Sequence, residues 1–229
     1  MTLIVITGVG TDIGKTHVTA ALSLAWGRET PVLAYKPIES GVVAQAGPDE
    51  ALLASVSTFH VKHPLLQFRL RAPVSPHLAA REEGVTLDLQ AVAEEVSRVR
   101  RVTDMLVELP GGLFSPLSDT EVGADLVQRL GPDVVLLVAP NRLGVLHDVR
   151  AVAEAGRGRR LALDGVVLNA PSVEDASSAS NPAELALTSG LPVLAKLQRG
   201  ALEELAASRS LLELLHYCRR IRPKPTALE

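Results

Sequence analysis

The 229-residue sequence predicts an α/β fold, a mostly parallel central sheet with helices on both faces. Three observations predict it. Six short apolar runs alternate with longer segments of helical periodicity, an alternation that requires crossover connections. Hydrophobic residues make up 47% of the chain, enough to bury a sizeable core in one α/β domain. Glycines stand where several of the helical patterns end, as helix stops do.

The apolar run at 3–7 gives the first strand and opens onto a glycine-rich turn. A helical pattern follows over 14–26 and stops at Gly27, and the run at 32–35 gives the second strand. A helix over 89–100 leads into a strand at 105–108. A helix over 121–129, stopped by Gly131, leads into one at 134–139. The pattern over 146–155 stops at Gly156 before a strand at 165–168, and a helix over 182–189 precedes the last strand at 193–197. With no internal repeat and no long linker, a single domain is expected over 1–221. The segment 172–181, rich in Ser, Ala and acids, is expected to be a mobile loop, and 222–229, with two prolines, a trailing tail.

Composition narrows the partners. A formal net charge of −3 gives no electrostatic argument for nucleic acid or a membrane surface, and the basic run at 157–160 is broken by Gly158. Six aromatic residues are too few for a base-stacking platform. The single cysteine, Cys218, cannot form an intramolecular disulfide. No stretch reads as a signal peptide or a membrane span, so a cytoplasmic protein is expected.

The chemistry begins where the first strand ends. Gly8-Val9-Gly10-Thr11-Asp12-Ile13-Gly14-Lys15-Thr16 follows a strand and opens a helix, the context of a phosphate-binding loop, and makes the fold a P-loop NTPase type. Backbone N–H groups of the turn, Asp12, Ile13 and Gly14 among them, converge on the phosphates, with partial positive charge from the helix N-terminus. Lys15 would neutralise the β and γ oxygens of ATP. Thr16 stands at the usual position of a Mg2+ ligand, and His17 follows with its N–H near phosphate. Five residues separate Gly8 from Gly14, one more than the standard spacing, which points to a subclass.

Lys36, in Tyr35-Lys36-Pro37-Ile38-Glu39-Ser40-Gly41, lies at the carboxyl end of the second strand, the edge where ligands of open α/β sheets bind. From there it can reach the same phosphates and offset charge on a transferred phosphoryl group. Ser40 reads equally as a turn residue. Glu108 ends a strand before Gly111-Gly112, as a magnesium-binding acid should. Asp49 reads either as a helix N-cap or as a second metal acid, with neighbouring Glu50 an alternative. His77 and His147 stand alone, and an isolated histidine is more often a packing residue than a general base.

The loop ending Thr11-Asp12-Ile13-Gly14-Lys15-Thr16, the segment 35–41, Ser75-Pro76-His77 and Phe114-Ser115-Pro116-Leu117-Ser118-Asp119 occur in the order typical of dethiobiotin synthetases, which this chain resembles over most of its length. The resemblance implies a homodimer that converts diaminopelargonate, CO2 (or bicarbonate) and ATP into dethiobiotin, ADP and phosphate, with Mg2+. It implies that Thr11 and Lys15 contact carbamate and phosphate oxygens, that Lys36 stabilises the transferring group and that Ser40 touches the substrate. Thr16, Asp49 and Glu108 would hold magnesium. Gly111 would line the nucleotide site, and Asn169, Ala170 and Leu197 would surround the base.

The chain departs from the family at three places. Glu108-Leu109-Pro110-Gly111-Gly112 stands where Glu-Gly-Ala-Gly-Gly is usual, Leu146 precedes His147 where an Asn is common, and Lys196-Leu197-Gln198 replaces a proline-containing turn. Two other readings remain beside the ligase: a diverged member with another substrate or a regulatory role, and a partitioning-type ATPase switch. The switch ATPases carry a signature lysine early in the loop, where this chain has Gly10.

Overall fold

Every apolar run expected as a strand becomes one, and all six lie in one parallel sheet. The computed structural model describes residues 1–171, 173 and 175–221, so the expected tail at 222–229 lies outside the described residues. β1 (Leu3–Gly8) leads into α1 (Lys15–Gly27), and β2 (Val32–Tyr35) is followed at once by a short β3 (Ile38–Ser40). Next come α2 (Pro48–Val56), β4 (Phe68–Leu70), α3 (Pro76–Glu82) and α4 (Leu89–Val99). The alternation then settles into β5 (Asp104–Glu108), α5 (Gly123–Leu130), β6 (Val134–Pro140), α6 (Val145–Gly158), β7 (Gly165–Asn169), α7 (Asn181–Ser189) and β8 (Val193–Leu197). The last described elements are α8 (Leu202–Ala207) and α9 (Arg209–Arg220).

The main sheet has the order β2-β5-β1-β6-β7-β8, while β3 and β4 form a separate parallel pair. Strand parity sorts the core. Ile4 and Ile6 point to the face covered by α1, α2, α8 and α9, whereas Leu3 and Val5 point to the face covered by α4 and α5. A third cluster, built on Leu137, Ala139, Val166 and Leu168, packs against α6 and α7. Chain direction across the sheet reverses beside β1. The register pairs Ile6 with Glu108, Gly8 with Val138, and Pro140 with Asn169, so the loops after β1, β5 and β7 open on one edge. That edge, at the switch in strand order, is where such sheets bind ligands.

Two expected helix stops behave differently. Gly131 caps α5 in the left-handed region as expected, but α6 runs through Gly156 to Gly158. Gly156 serves the returning chain instead, since its carbonyl takes the N–H of Leu161. The segment expected as a mobile loop is pinned in its described part: Ser178 and Asn181 are buried and bonded to Asn141 at the end of β6. Among the described residues no helix is long and apolar enough to cross a membrane.

Candidate functional site

The turn after β1 is shaped by residues in the left-handed region, Gly14 at φ 85° and Asp12 at φ 54°. Asp12 has a Cβ and is strained there, whereas Gly14 could not carry one: it would lie 2.1 Å from Asn169 Nδ2. Asn169 is no mere turn residue. Its Nδ2 donates to the Ile13 carbonyl at 3.0 Å and ties the end of β7 to the phosphate loop. Lys15 reaches back over the turn, its Nζ donating to the Gly10 carbonyl at 2.7 Å. Burial pulls its ammonium down from 10.5 to about 8, against the pull of Glu108 and with a smaller push from Lys36.

Beyond the loop stands a charged cluster. Glu108 Oε1 accepts from Thr16 Oγ1 at 2.8 Å and from Lys36 Nζ at 2.9 Å, while Lys36 also pairs with Asp49. Glu108 is fully buried, and its second oxygen, Oε2, has no hydrogen-bond partner among the described residues. Burial disfavours the Lys36 ammonium, but Glu108 and Asp49 more than reverse that and hold its pKa above the ordinary value. Asp49 is not the N-cap of α2; Gly47 is, with Pro48 in the first turn. Glu50 turns away, held by Arg69 at 2.6 and 2.7 Å, so of the two neighbouring acids Asp49 alone joins the cluster.

Three cavities meet here. One, lined by Gly14, Lys15, Thr16 and Glu108, shares Thr11, Asp12, Lys36, Asp49 and Gly111 with a second cavity of about 580 Å³. The second adds Ser40, Ser75, Pro110 and Ser115, and Ser40 Oγ there is buried with no hydrogen-bond partner among the described residues. The third opens on the other side, past Gly14 and His17, between Asn169, Ala170, Pro171 and the residues 198–200. Sequence reasoning reached the first two from the loop and the segment 35–41, and missed Ser115, Gln198 and Arg199. Ser115 stood in a quoted motif, but its role needs the fold: its Oγ accepts the N–H of Gly112 at 2.8 Å.

The departures have structural explanations. Leu109 directly follows the last residue of β5 and is still tied to β1, its N–H donating to the Ile6 carbonyl at 2.9 Å and its side chain fully buried. Positive φ falls on Gly111 instead, where a Cβ would meet Ser115 Oγ at 2.3 Å. Leu146 packs against the cluster under α6 and α7. Leu197 is the one expected nucleotide residue that lines none of these cavities: its side chain is in the core, and its carbonyl accepts the Ala170 N–H at 3.0 Å. His17 bonds through its ring to the Gly200 carbonyl at 3.2 Å. His77 pairs with Ser75 Oγ at 2.8 Å, and His147 is exposed on α6, so neither is placed as a general base.

The arrangement can hold a triphosphate across the edge of β1, with a base to one side and a second reactant to the other. A family model described as an AAA domain matches residues 2–205. The chain is 39% identical over 197 residues to the ATP-dependent dethiobiotin synthetase BioD of Caulobacter sp. (strain K31), covering 80% of this chain and 84% of that protein. It is 38% identical over 197 residues to the protein of the same name from Anaeromyxobacter sp. (strain Fw109-5), covering 84% and 87%. Among solved structures, the MinD cell division protein of Aquifex aeolicus matches with a TM-score of 0.61 over 98% of this chain and 99% of that one, at 13% identity, a likeness of fold alone.

Proposed function

The chain belongs to the ATP-dependent dethiobiotin synthetases, and from that premise we propose that its linked cavities bring a substrate carbamate against the γ-phosphate of ATP, with Lys36 between the two. The reaction forms the cyclic ureide dethiobiotin from diaminopelargonate and CO2 at the expense of ATP, a ligation in biotin biosynthesis. The observation that carries the reading is the position of Lys36, common to the phosphate cavity and the adjoining one that holds the unpartnered hydroxyl of Ser40.

One amine of the substrate adds to CO2 and loses a proton, giving a carbamate. A carbamate oxygen attacks the γ-phosphorus in line and ADP leaves, which makes a carbamic–phosphoric anhydride. The second amine then attacks the carbonyl carbon, loses its proton and expels phosphate as the ring closes. Ring closure is intramolecular and favoured by proximity. The protein therefore has to position reactants and oppose negative charge. Lys15, over the turn, faces the β and γ oxygens. Lys36 offsets charge on the phosphoryl group in flight, Thr11 contacts the carbamate, and Ser40 Oγ has its hydrogen bond free for the substrate.

The donor set fits Mg2+, a hard cation that takes oxygen ligands. Thr16 Oγ1, Asp49 and Glu108 lie together, and the buried, unpartnered Oε2 of Glu108 is what a cation would satisfy. When bound, magnesium would neutralise charge on the phosphate oxygens. We further propose, as the resemblance implies, that the protein works as a homodimer in the cytoplasm. The test of the reading is phosphate release from ATP in the presence of Mg2+. Release should require diaminopelargonate and bicarbonate together; turnover without the diamine, or none with it, sinks the assignment. The partitioning-type switch gains nothing from the site, since Gly10 occupies the place of its signature lysine.

A further inference from the structure

The first turn of α2 has an unusual source of hydrogen-bond acceptors. A helix N-terminus leaves several N–H groups without intrahelical partners, and the N-cap side chain ordinarily accepts one of them. Here the N-cap is Gly47, which has no side chain to offer. Pro48 has no N–H, and the Ala51 N–H bonds to the Gly47 carbonyl at 2.9 Å. The two that remain, on Asp49 and Glu50, both go to Glu39: Asp49 N to Oε1 at 3.1 Å and Glu50 N to Oε2 at 3.0 Å. One buried carboxylate from β3 thus completes the turn, at the helix end where negative charge is favourable. The space is committed to it. A Cβ at Gly47 would lie 2.1 Å from Glu39 Oε2.

The register of the small sheet adds a second hold. Glu39 pairs across to Arg69 on β4, and Arg69 grips the Glu50 side chain. Strands β3 and β4 together therefore clamp the first turn of α2, one by its backbone and one by its side chain. Asp49 sits inside that clamp and presents its carboxylate to Lys36.

We propose that Glu39 is a positioning residue, a cap supplied from another element that fixes Asp49 against Lys36 and the magnesium-nucleotide site. The proposal rests on the reading of Asp49 as a magnesium ligand, and its test separates the two. Glu39→Ala removes both acceptors. Its magnesium-dependent binding of a non-hydrolysable ATP analogue, measured by titration calorimetry, should weaken about five- to tenfold, and amide exchange at Asp49 and Glu50 should speed by a similar factor. Gly47→Ser alone should also weaken binding, because its Cβ meets Glu39. Combined, Glu39→Ala and Gly47→Ser supply an ordinary cap in the vacated space and should restore affinity to within about twofold of the parent. A double variant no better than Glu39→Ala, or a Glu39→Ala protein with unchanged exchange at 49 and 50, overturns the proposal. Asp49→Asn serves as the reference. If it leaves magnesium-dependent binding intact while Glu39→Ala still speeds exchange, the cap stands and the magnesium assignment of Asp49 fails.

Discussion

Raising the pH through 8 should discharge Lys15 in the metal-free, nucleotide-free protein, and nucleotide should charge it again. Burial lowers this ammonium from 10.5 to about 8, a preference for the neutral form of about 3 kcal/mol. The folded state therefore binds that proton more weakly than the unfolded chain does. Below about pH 8 the charged lysine costs the fold that amount, and the cost falls away as pH climbs toward 10.5, so this group alone makes the free protein more stable as pH rises across that window. Phosphate oxygens beside Lys15 favour its charged form and lift its pKa again. Binding of magnesium-ADP at pH 8 should therefore take up about half a proton, and at about pH 6.5 close to none. Calorimetry in two buffers of different ionisation enthalpy reads that number. No proton uptake at pH 8, or equal uptake at both pH values, would refute the placement of Lys15 over the phosphates.

Lys36→Met leaves the buried Glu108 carboxylate with Thr16 as its remaining hydrogen-bond donor and only the Lys15 charge nearby; phosphate release should fall about 10²- to 10³-fold, and thermal unfolding without magnesium should come several degrees earlier, of the order expected for breaking a buried pair. Glu108→Gln keeps an acceptor for Thr16 but removes the charge, so magnesium affinity measured by titration should drop about tenfold or more while the fold, read by circular dichroism, persists. Gly112→Ala puts a Cβ 3.1 Å from the Gly8 carbonyl oxygen and 3.2 Å from Gly10 N; nucleotide should bind about tenfold more weakly, and unchanged affinity would mean that the loop has slack there.

The phosphate loop, Lys36 and Glu108 were legible because their chemistry depends on local spacing and on position at a strand end. The six parallel strands were legible because burial on both faces leaves a continuous apolar run. What escaped depends on contacts distant in sequence or on elements too short to show a period. β3 and β4 are three residues each, and the role of Glu39 follows from a neighbour ten positions away. α9 is different, since Leu211, Leu214, Leu215 and Cys218 are spaced as one helical face and could have been read. Strand parity would likewise have moved Leu197 into the core, because it shares its face with Ala195. Glu50 and Asp49 could not be told apart before Arg69 was seen to hold one of them.

Attack of a carbamate oxygen on the γ-phosphate is the central claim, and oxygen tracing tests it directly. With doubly 18O-labelled CO2 supplied in unlabelled water and the reaction stopped before label washes out, one labelled oxygen per turnover should appear in the released phosphate and the other in the ureide carbonyl, both read by mass spectrometry. Phosphate free of label beside a labelled ureide would show that the γ-phosphoryl group never bonds to the carbamate, and would contradict the account.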